Sequence, residues 1–296
     1  MDRLKSFNTK LQSNTAVMKS KEVVDNVYGK TRNFLSSGTI FSRIILAVLF
    51  IIVFIVVVNI IRKGYSMYQN MVNSSPWIFK GTKDAKSRMV VIQDPSKYGA
   101  VTLPKSKNEY GGLEFTYMTW IHVDNWGYQQ GKWKHILHKG NSNGPNNQVD
   151  GGSNNEGPGG PLLQSPGIWL HKDENTLRIN MNTYENVREF VDIENIPLNK
   201  WVHLTVAVRQ RHMDIFVNGN LVKRHELEGL PKQNSGDVYI NSFKGFGGYV
   251  SNVKYFNYYA SFRDIDENIK IGPSQKPCAD SGERPPYFVA DWWLSQ

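Results

Sequence analysis

An 18-residue apolar run, Ile44–Ile61, limits what this chain can fold into more than any other feature of its sequence. Asn59 is the one polar residue within the run. A helix of this length rises about 27 Å, close to the thickness of a bilayer's hydrocarbon core. Arg43 precedes the run and Arg62 and Lys63 follow it, where long cationic side chains can reach lipid headgroups. The run therefore predicts a transmembrane helix over residues 44–61.

Two alternatives to a membrane span are a buried core helix and a cleaved signal peptide. Such an uninterrupted, β-branched run is rare inside soluble domains. The run begins after 43 residues, and no small-residue cleavage site follows it. We therefore expect a single-pass membrane protein with lipid as one partner. The charges that flank the run are tied under the positive-inside rule, so its orientation stays open.

Positive charge is concentrated in and before this run. Residues 1–63 hold ten of the 35 Lys and Arg residues and three of the 26 acidic residues, so the rest of the chain is nearly balanced. A basic segment beside a span is attracted to anionic lipid. A domain with balanced charge lacks the electrostatic footprint of a nucleic-acid binder, so nucleic acid is not an expected partner.

The segments on either side of the span differ in composition. Residues 1–43 form a basic tail, and four of its apolar residues share one helical stripe: Leu4, Phe7, Leu11 and Met18. The stripe predicts a partly amphipathic helix, although a solvated tail explains the same residues equally well. Residues 62–88 are mostly polar, and we predict a juxtamembrane connector there.

From Met89 onward apolar and polar residues alternate with the period of a β-strand. The predicted strands are Leu113–Val123, Trp133–Lys139, Gly167–His171, Thr176–Asn182, Glu189–Ile193, Val202–Arg209, Met213–Val217, Leu221–His225, Asp237–Ile240 and Tyr249–Asn257. The pair Asn218-Gly219 accepts the positive φ angles of a tight hairpin turn. Strands at this spacing, with no convincing helix between them, predict an all-β antiparallel sandwich or jelly roll over residues 89–271.

Two segments fall outside this pattern. Residues 140–161 are rich in Gly, Asn, Pro and Ser, which predicts a long loop that is functional or disordered. Residues 272–296 form a tail with four prolines that ends in Trp292-Trp293-Leu294. Paired tryptophans are unfavourable in a solvated tail, so we expect Trp292 and Trp293 to be packed or to contact a partner.

Several stretches resemble the concanavalin A-like lectin/glucanase superfamily, and most closely its laminin G-like branch. The stretches that carry the resemblance are Trp201–Val208, Asp214–Asn220, Gly247–Phe256, Phe115–His122 and His135–Gly140. The resemblance covers residues 89–271 and implies two stacked antiparallel sheets of roughly six or seven strands each. It says more about the fold than about a ligand.

Glucanases of this fold carry three carboxylates on one strand, spaced Glu-x-Asp-x-x-Glu. The nearest stretches here are Asp192–Glu194 and Asp264–Glu267, and neither supplies the third carboxylate in register. We interpret both as solvated carboxylates. The sequence therefore predicts a protein that is not an enzyme.

Metal sites are weakly indicated. His135 and His138 are three positions apart, and on a regular strand such residues point to opposite faces, so we predict that they do not chelate one ion. Oxygen ligands for calcium are available in the long loop at Asp150, Asn154, Asn155 and Glu156. Laminin G-like domains and plant lectins bind calcium through rim loops, but Asn and Gly also simply make turns, which is the interpretation that we favour. No cofactor is expected, with calcium as the alternative.

Carbohydrate binding would require exposed aromatic rings beside polar groups. Trp126 and Tyr128, in the loop after the first long strand and beside the 140–161 loop, are the candidates, although packing against neighbouring strands is the interpretation that we favour.

The layout of the whole chain resembles membrane-anchored virion proteins of large icosahedral DNA viruses. That resemblance implies a minor structural protein in the virion, which lies between an internal membrane and the capsid and docks on capsid proteins. The alternative is a membrane-bound lectin or attachment protein that binds glycans through the loops of its sandwich.

Overall fold

The computed structural model describes residues 25–26, 28–30, 32–33, 39–109, 112–142, 158 and 163–278. Four predicted features lie outside these residues. They are the amphipathic stripe of the N-terminal tail, most of the 140–161 loop, its calcium candidates Asp150, Asn154, Asn155 and Glu156, and the terminal pair Trp292 and Trp293. The chain divides into two compact units, Met1–Asn70 and Met71–Gln296.

Helix α1 spans Ile40–Ser74 and contains the apolar run. It is long and apolar enough to cross a membrane, and none of its most apolar window is buried by protein. The helix continues 13 residues beyond the predicted end of the span, into the predicted connector. Most residues after Lys63 are tolerated in helices, and the helix ends two residues before Pro76, because a proline disfavours the helical conformation of its predecessor.

The second unit is built from thirteen described strands and one helix. The strands are β1 (Trp77–Asp84), β2 (Met89–Val91), β3 (Lys107–Glu109), β4 (Gly112–Asn125), β5 (Lys134–Gly140), β6 (Gln164–Leu170), β7 (Thr176–Met181), β8 (Glu189–Glu194), β9 (Trp201–Arg209), β10 (His212–Val217), β11 (Asn220–Glu226), β12 (Asp237–Ile240) and β13 (Gly247–Phe256). Helix α2 (Phe262–Ile271) follows the last strand. The predicted start of the sandwich at residue 89 is wrong, because β1 pairs with β13 from Trp77 onward.

Two antiparallel sheets form the sandwich, as predicted. Within the described residues the larger sheet has seven strands in the order β1-β13-β4-β9-β10-β11, with β3 paired to β4. The smaller sheet has six strands in the order β2-β12-β5-β6-β7-β8. Every named strand pair is antiparallel.

The main core consists of the alternate side chains that the two sheets turn toward each other. Ile121 and Val206 come from the larger sheet, and Ile179 and Ile240 from the smaller one, and each is at most 1 % exposed. The hairpin between β10 and β11 turns at Asn218 and Gly219, with φ angles of 52° and 82°, so the predicted Asn-Gly turn is confirmed.

Helix α2 covers one end of the outer face of the larger sheet. Its Ile265 packs with Met118, Phe216 and Phe256, all of them buried. Ser261 begins the helix with a capping box to Asp264. These residues form a second, smaller core between α2 and the sheet. It was not predicted, because the alternating pattern of the sequence indicated strands and not this helix.

The segment after α2 returns along the free edge of β1. The Thr82 amide donates to the carbonyl of Lys276, and the Cys278 amide donates to the carbonyl of Thr82, each at 2.8 Å. Gly81 permits this approach, because a Cβ there would lie 2.6 Å from the Cα atom of Cys278. The segment up to Cys278 is thus part of the sandwich, beyond the predicted limit at residue 271.

Candidate ligand-binding face

The end of the larger sheet that no described residue covers carries a row of three rings on its outer face. The backbones of β13, β4 and β9 pair Tyr249 with His122, and His122 with Trp201. The His122 ring centroid lies 5.3 Å from that of Trp201 and 6.3 Å from that of Tyr249. Directly opposed residues of neighbouring strands point to the same face, so the sheet aligns the three rings side by side. We call Tyr249, His122 and Trp201 the aromatic row.

Trp120 and His203 form a second layer beside the aromatic row. They oppose each other on β4 and β9, and their rings meet edge to face with centroids 5.0 Å apart. The Nε2 atom of His203 lies 3.0 Å from the Oδ1 atom of Asn268 on α2, so this nitrogen carries the proton and donates it. Burial lowers the pKa of His203 to about 4, so its ring is neutral at physiological pH.

Polar atoms of this face lack partners within the described part of the chain. The indole nitrogen of Trp120 is buried without a hydrogen bond, and so is the Nδ1 atom of His122. Trp120 is 7 % exposed, whereas Tyr249 is 44 % exposed. Leaving a buried donor unpaired is unfavourable by about 1–3 kcal/mol, so an acceptor would be stabilised there once the neighbouring side chains move enough to open this buried nitrogen to a ligand. The face therefore combines open rings with an unsatisfied N–H group.

The predicted rim residues lie elsewhere. Trp126 and Tyr128 are both half-buried in the turn after β4. Trp126 packs against the main core, and the Lys134 ammonium lies 4.9 Å from its ring centroid. Lys86 lies 5.2 Å from the ring centroid of Tyr128. The two rings thus have separate neighbours, and a shared carbohydrate platform at this rim stays a prediction.

The expectation that His135 and His138 face opposite sides of their strand is wrong. The pairing of β5 with β6 shifts register between His135 and Leu137, and again between His138 and Gly140. The resulting bulges turn both imidazoles to the same face, where they are hydrogen-bonded to each other. Both are buried, so the pair belongs to the packing of the sheet. The described residues hold no group of three or more His, Cys, Asp or Glu side chains that could bind a metal ion.

The carboxylates nearest to a glucanase motif have structural partners. Asp192 forms a bidentate ion pair with Arg178, at 2.7 and 2.6 Å. Asp264 accepts from the amide and hydroxyl of Ser261 at the start of α2. Neither lies on the strands that carry the aromatic row.

The sequence contains one signal for this face. The residues of β4 that alternate with its core residues should point to solvent, yet Trp120 and His122 are among them. Aromatic residues that cluster at the outward positions of a strand indicate a surface that is covered or that binds a ligand. The neighbours Trp201 and Tyr249 could be placed beside them only once the strand order was known.

These features define a lectin-like binding domain of two antiparallel sheets. The sequence profile of the concanavalin A-like lectin/glucanases superfamily matches residues 95–266, which is more than half of the chain. The chain belongs to this superfamily. No curated protein matches the sequence.

Solved structures to which this chain is similar include botulinum neurotoxin binding domains. The serotype D/C domain aligns with a TM-score of 0.39 and 14 % identity over 53 % of this chain and 36 % of its own. The DC binding domain in its complex with rat synaptotagmin II aligns with a TM-score of 0.38 and 14 % sequence identity, over 53 % of this chain and 35 % of its own. The same DC binding domain in complex with SialylT aligns with a TM-score of 0.38 and 15 % sequence identity, over 53 % of this chain and 35 % of its own. The chain thus spans about a third of these structures, and the likeness is one of fold alone.

Proposed function

We propose that this chain is a membrane-anchored, non-catalytic binding protein whose aromatic row binds carbohydrate. The observation that carries the proposal is the buried, unpaired indole N–H group of Trp120 beside three partly open rings. Aromatic faces stack on the C–H face of a sugar ring, and a neighbouring N–H group meets a hydroxyl oxygen.

Helix α1 supports the membrane anchor. Its large apolar residues from Ile44 to Val57 are about half exposed, as expected for side chains that face lipid rather than protein. Arg62 and Lys63 mark one end of the apolar run and Arg43 marks the other. The non-catalytic part of the proposal is supported by the ion pair of Asp192 and the capping role of Asp264.

A structural role in a virion stays the second candidate, on the layout of the chain alone. In that role α1 lies in the internal membrane, and the sandwich and the Trp292-Trp293 tail dock on capsid proteins. Deleting residues 285–296 should then weaken assembly and leave the sandwich folded. Unfolding of the sandwich on this deletion would show instead that the tail belongs to its core.

A glycan array probed with the full chain in phosphatidylcholine nanodiscs tests the carbohydrate proposal. The wild-type protein should give a defined set of signals, and Trp201→Ala should abolish them. Tyr184→Ala is the matched control, because Tyr184 is an exposed aromatic residue outside the aromatic row. Tyr128→Ala tests the predicted rim, and adding a chelator tests the calcium alternative. Signals that survive Trp201→Ala and disappear with Tyr128→Ala would move the site to the rim.

A further inference from the structure

Two lysines converge on one indole ring at the start of the sandwich. The ammonium nitrogen of Lys80 lies 5.3 Å from the ring centroid of Trp77, and that of Lys254 lies 5.0 Å from the same centroid. Each contact alone is a favourable cation–π interaction. Two like charges on one ring repel each other, so a bound anion would stabilise the arrangement.

A backbone irregularity brings Lys80 to this position. Trp77 pairs directly with Lys254 across β1 and β13. On a regular strand Lys80, three positions further on, would point away from Trp77. The β1–β13 pairing shifts register between Trp77 and Phe79 and again between Phe79 and Thr82, and this irregularity turns Lys80 back toward the indole. Bulges that redirect side chains are frequent on edge strands and near functional sites.

The described residues supply no dedicated counter-ion for these lysines. Neither Lys80 nor Lys254 forms an ion pair there. The acids whose charges act on Lys254 are Asp264 and Glu267. Asp264 is engaged by the cap of α2, and Glu267 accepts from Arg263 at 2.9 Å. Burial lowers the pKa of Lys254, and the positive charge of Lys80 lowers it further, as expected for a charge that lacks its own partner.

A third lysine extends the cluster along the same side. Lys254 also lies 4.7 Å from the ring centroid of Phe256, whose ring meets that of Tyr258 at 5.6 Å. Lys107 lies 5.2 Å from the ring centroid of Tyr258. Three ammonium groups thus follow a continuous line of aromatic rings.

We propose that Lys80, Lys254 and Trp77 form a binding site for a phosphate group. A phosphate monoester, which carries nearly two negative charges at pH 7, can accept hydrogen bonds from two ammonium groups at once and neutralise both, whereas a single carboxylate carries one charge. Trp77 is three residues beyond Ser74, the last residue of the helix that carries the candidate span. The phosphate can come from a lipid headgroup or from a soluble phosphate compound, since the chemistry of recognition is the same.

Calorimetric titration of the full chain with inorganic phosphate tests the site. The protein is first placed in phosphatidylcholine nanodiscs, where the wild type should bind phosphate. Lys80→Gln and Lys254→Gln should each weaken binding about tenfold, since each removes one charge-assisted contact. Lys86→Gln is the matched control, because Lys86 lies alone over one aromatic ring, that of Tyr128, and its replacement changes the net charge equally. No phosphate binding by the wild type, or equal loss in all three variants, would overturn the proposal.

A second set of nanodiscs, which contain phosphatidic acid, distinguishes the two sources. If the phosphate monoester of phosphatidic acid occupies the site, free phosphate should no longer bind in these discs, although it binds in the first set, where the lipid carries only a phosphodiester. If free phosphate binds equally in both kinds of disc, the ligand is soluble. Incorporation of the protein into discs is scored separately, so failure of the membrane anchor is distinguishable from failure of the phosphate site.

Discussion

The Nε2 atom of His135 lies 2.7 Å from the Nδ1 atom of His138. The amide of Ser242 donates to the Nδ1 atom of His135 at 2.9 Å, so the proton of the His135 ring is on Nε2. That proton is donated to His138, whose own Nε2 atom donates to the carbonyl of Asn141 at 3.2 Å. The three hydrogen bonds from Ser242 through the two histidines to Asn141 therefore all run in the same direction, and both imidazole rings are neutral.

Protonation of either ring would place two N–H groups against each other. Burial is the main cause that lowers the pKa of His138 to about 4 and the pKa of His135 well below its ordinary value. For His135, the positive charges of His138 and Arg88 lower the pKa further. For His138, the hydrogen bond to Asn141 opposes the shift in part.

These shifts predict acid-sensitive folding. When the pKa of a histidine is lower in the folded than in the unfolded state, the free energy of unfolding does not depend on that histidine at a pH above its unfolded-state pKa of about 6.5. Stability then falls as the pH drops toward 4, by about 1.4 kcal/mol per pH unit for each such histidine. Denaturant unfolding of the full chain at a series of pH values measures this slope. His138→Gln should flatten it, whereas His212→Gln, at an exposed histidine, should not. A slope unaffected by His138→Gln would contradict the hydrogen-bond chain.

Gly81→Ala should detach the C-terminal segment from β1. The new Cβ would clash with the backbone of Cys278, and φ at Gly81 is +107°. We expect the free energy of unfolding to fall by about 2 kcal/mol and the thiol of Cys278 to react faster with a disulfide reagent. Gly131→Ala is the control, because its φ is +76° but no atom lies within 4 Å of its Cβ position. Equal thiol reactivity in both variants would show that the segment is held elsewhere.

Arg224→Ala should destabilise the sandwich through Asp214. This carboxylate is 1 % exposed, and it accepts from Arg224 at 2.7 and 2.8 Å and from the hydroxyl of Tyr259 at 2.6 Å. Burial alone would raise the pKa of Asp214, but these hydrogen bonds outweigh it and the pKa is lowered.

Loss of the guanidinium leaves a buried charge partly unpaired, so we expect a loss of about 2 kcal/mol in the free energy of unfolding. Arg263→Ala, which removes an exposed ion pair with Glu267 on α2, should lower stability by less than about 0.5 kcal/mol. Equal losses in the free energy of unfolding of the two variants would mean that the burial of Asp214 does not strengthen its ion pair with Arg224.

Two arginines placed in the apolar run should prevent stable membrane association. At the centre of a span each arginine opposes insertion by about 3 kcal/mol. The double variant Phe50→Arg/Phe54→Arg should therefore become extractable from membranes by alkaline carbonate, whereas the wild type stays in the pellet. Tyr65→Arg/Tyr68→Arg lies in the same helix beyond the run and should behave as the wild type. Extraction of the wild type itself would refute the anchor.

The sequence predicted the strands of this fold well, because their alternation reflects which residues face the core. Tyr117 and Ile121 are both buried, as the pattern required. Strand β1 was not predicted, since its two register shifts break the alternation between Trp77 and Thr82. The same cause misplaced His135 and His138, because a bulge is not visible in a period-two pattern.

The candidate site depended on strand order, which the sequence does not encode locally. His122 and Trp201 are 79 positions apart in the chain, and they become neighbours because β4 pairs with β9. Trp126 and Tyr128 are the candidates from the sequence alone because they lie in one loop beside the 140–161 segment. Their neighbours, a lysine for each ring, became apparent only from the packed structure.

The indole N–H resonance of Trp120 tests the central claim most directly. Proton–nitrogen correlation spectra of the full chain in nanodiscs contain one such signal for each of its eight tryptophans, and Trp120→Phe assigns the one in question. If a bound sugar hydroxyl accepts from this group, the Trp120 signal should move downfield on titration with a glycan identified by the array, and Trp201→Ala should abolish the shift. If the glycan binds while the Trp120 signal stays in place, the hydrogen bond from Trp120 that carries the carbohydrate proposal is contradicted.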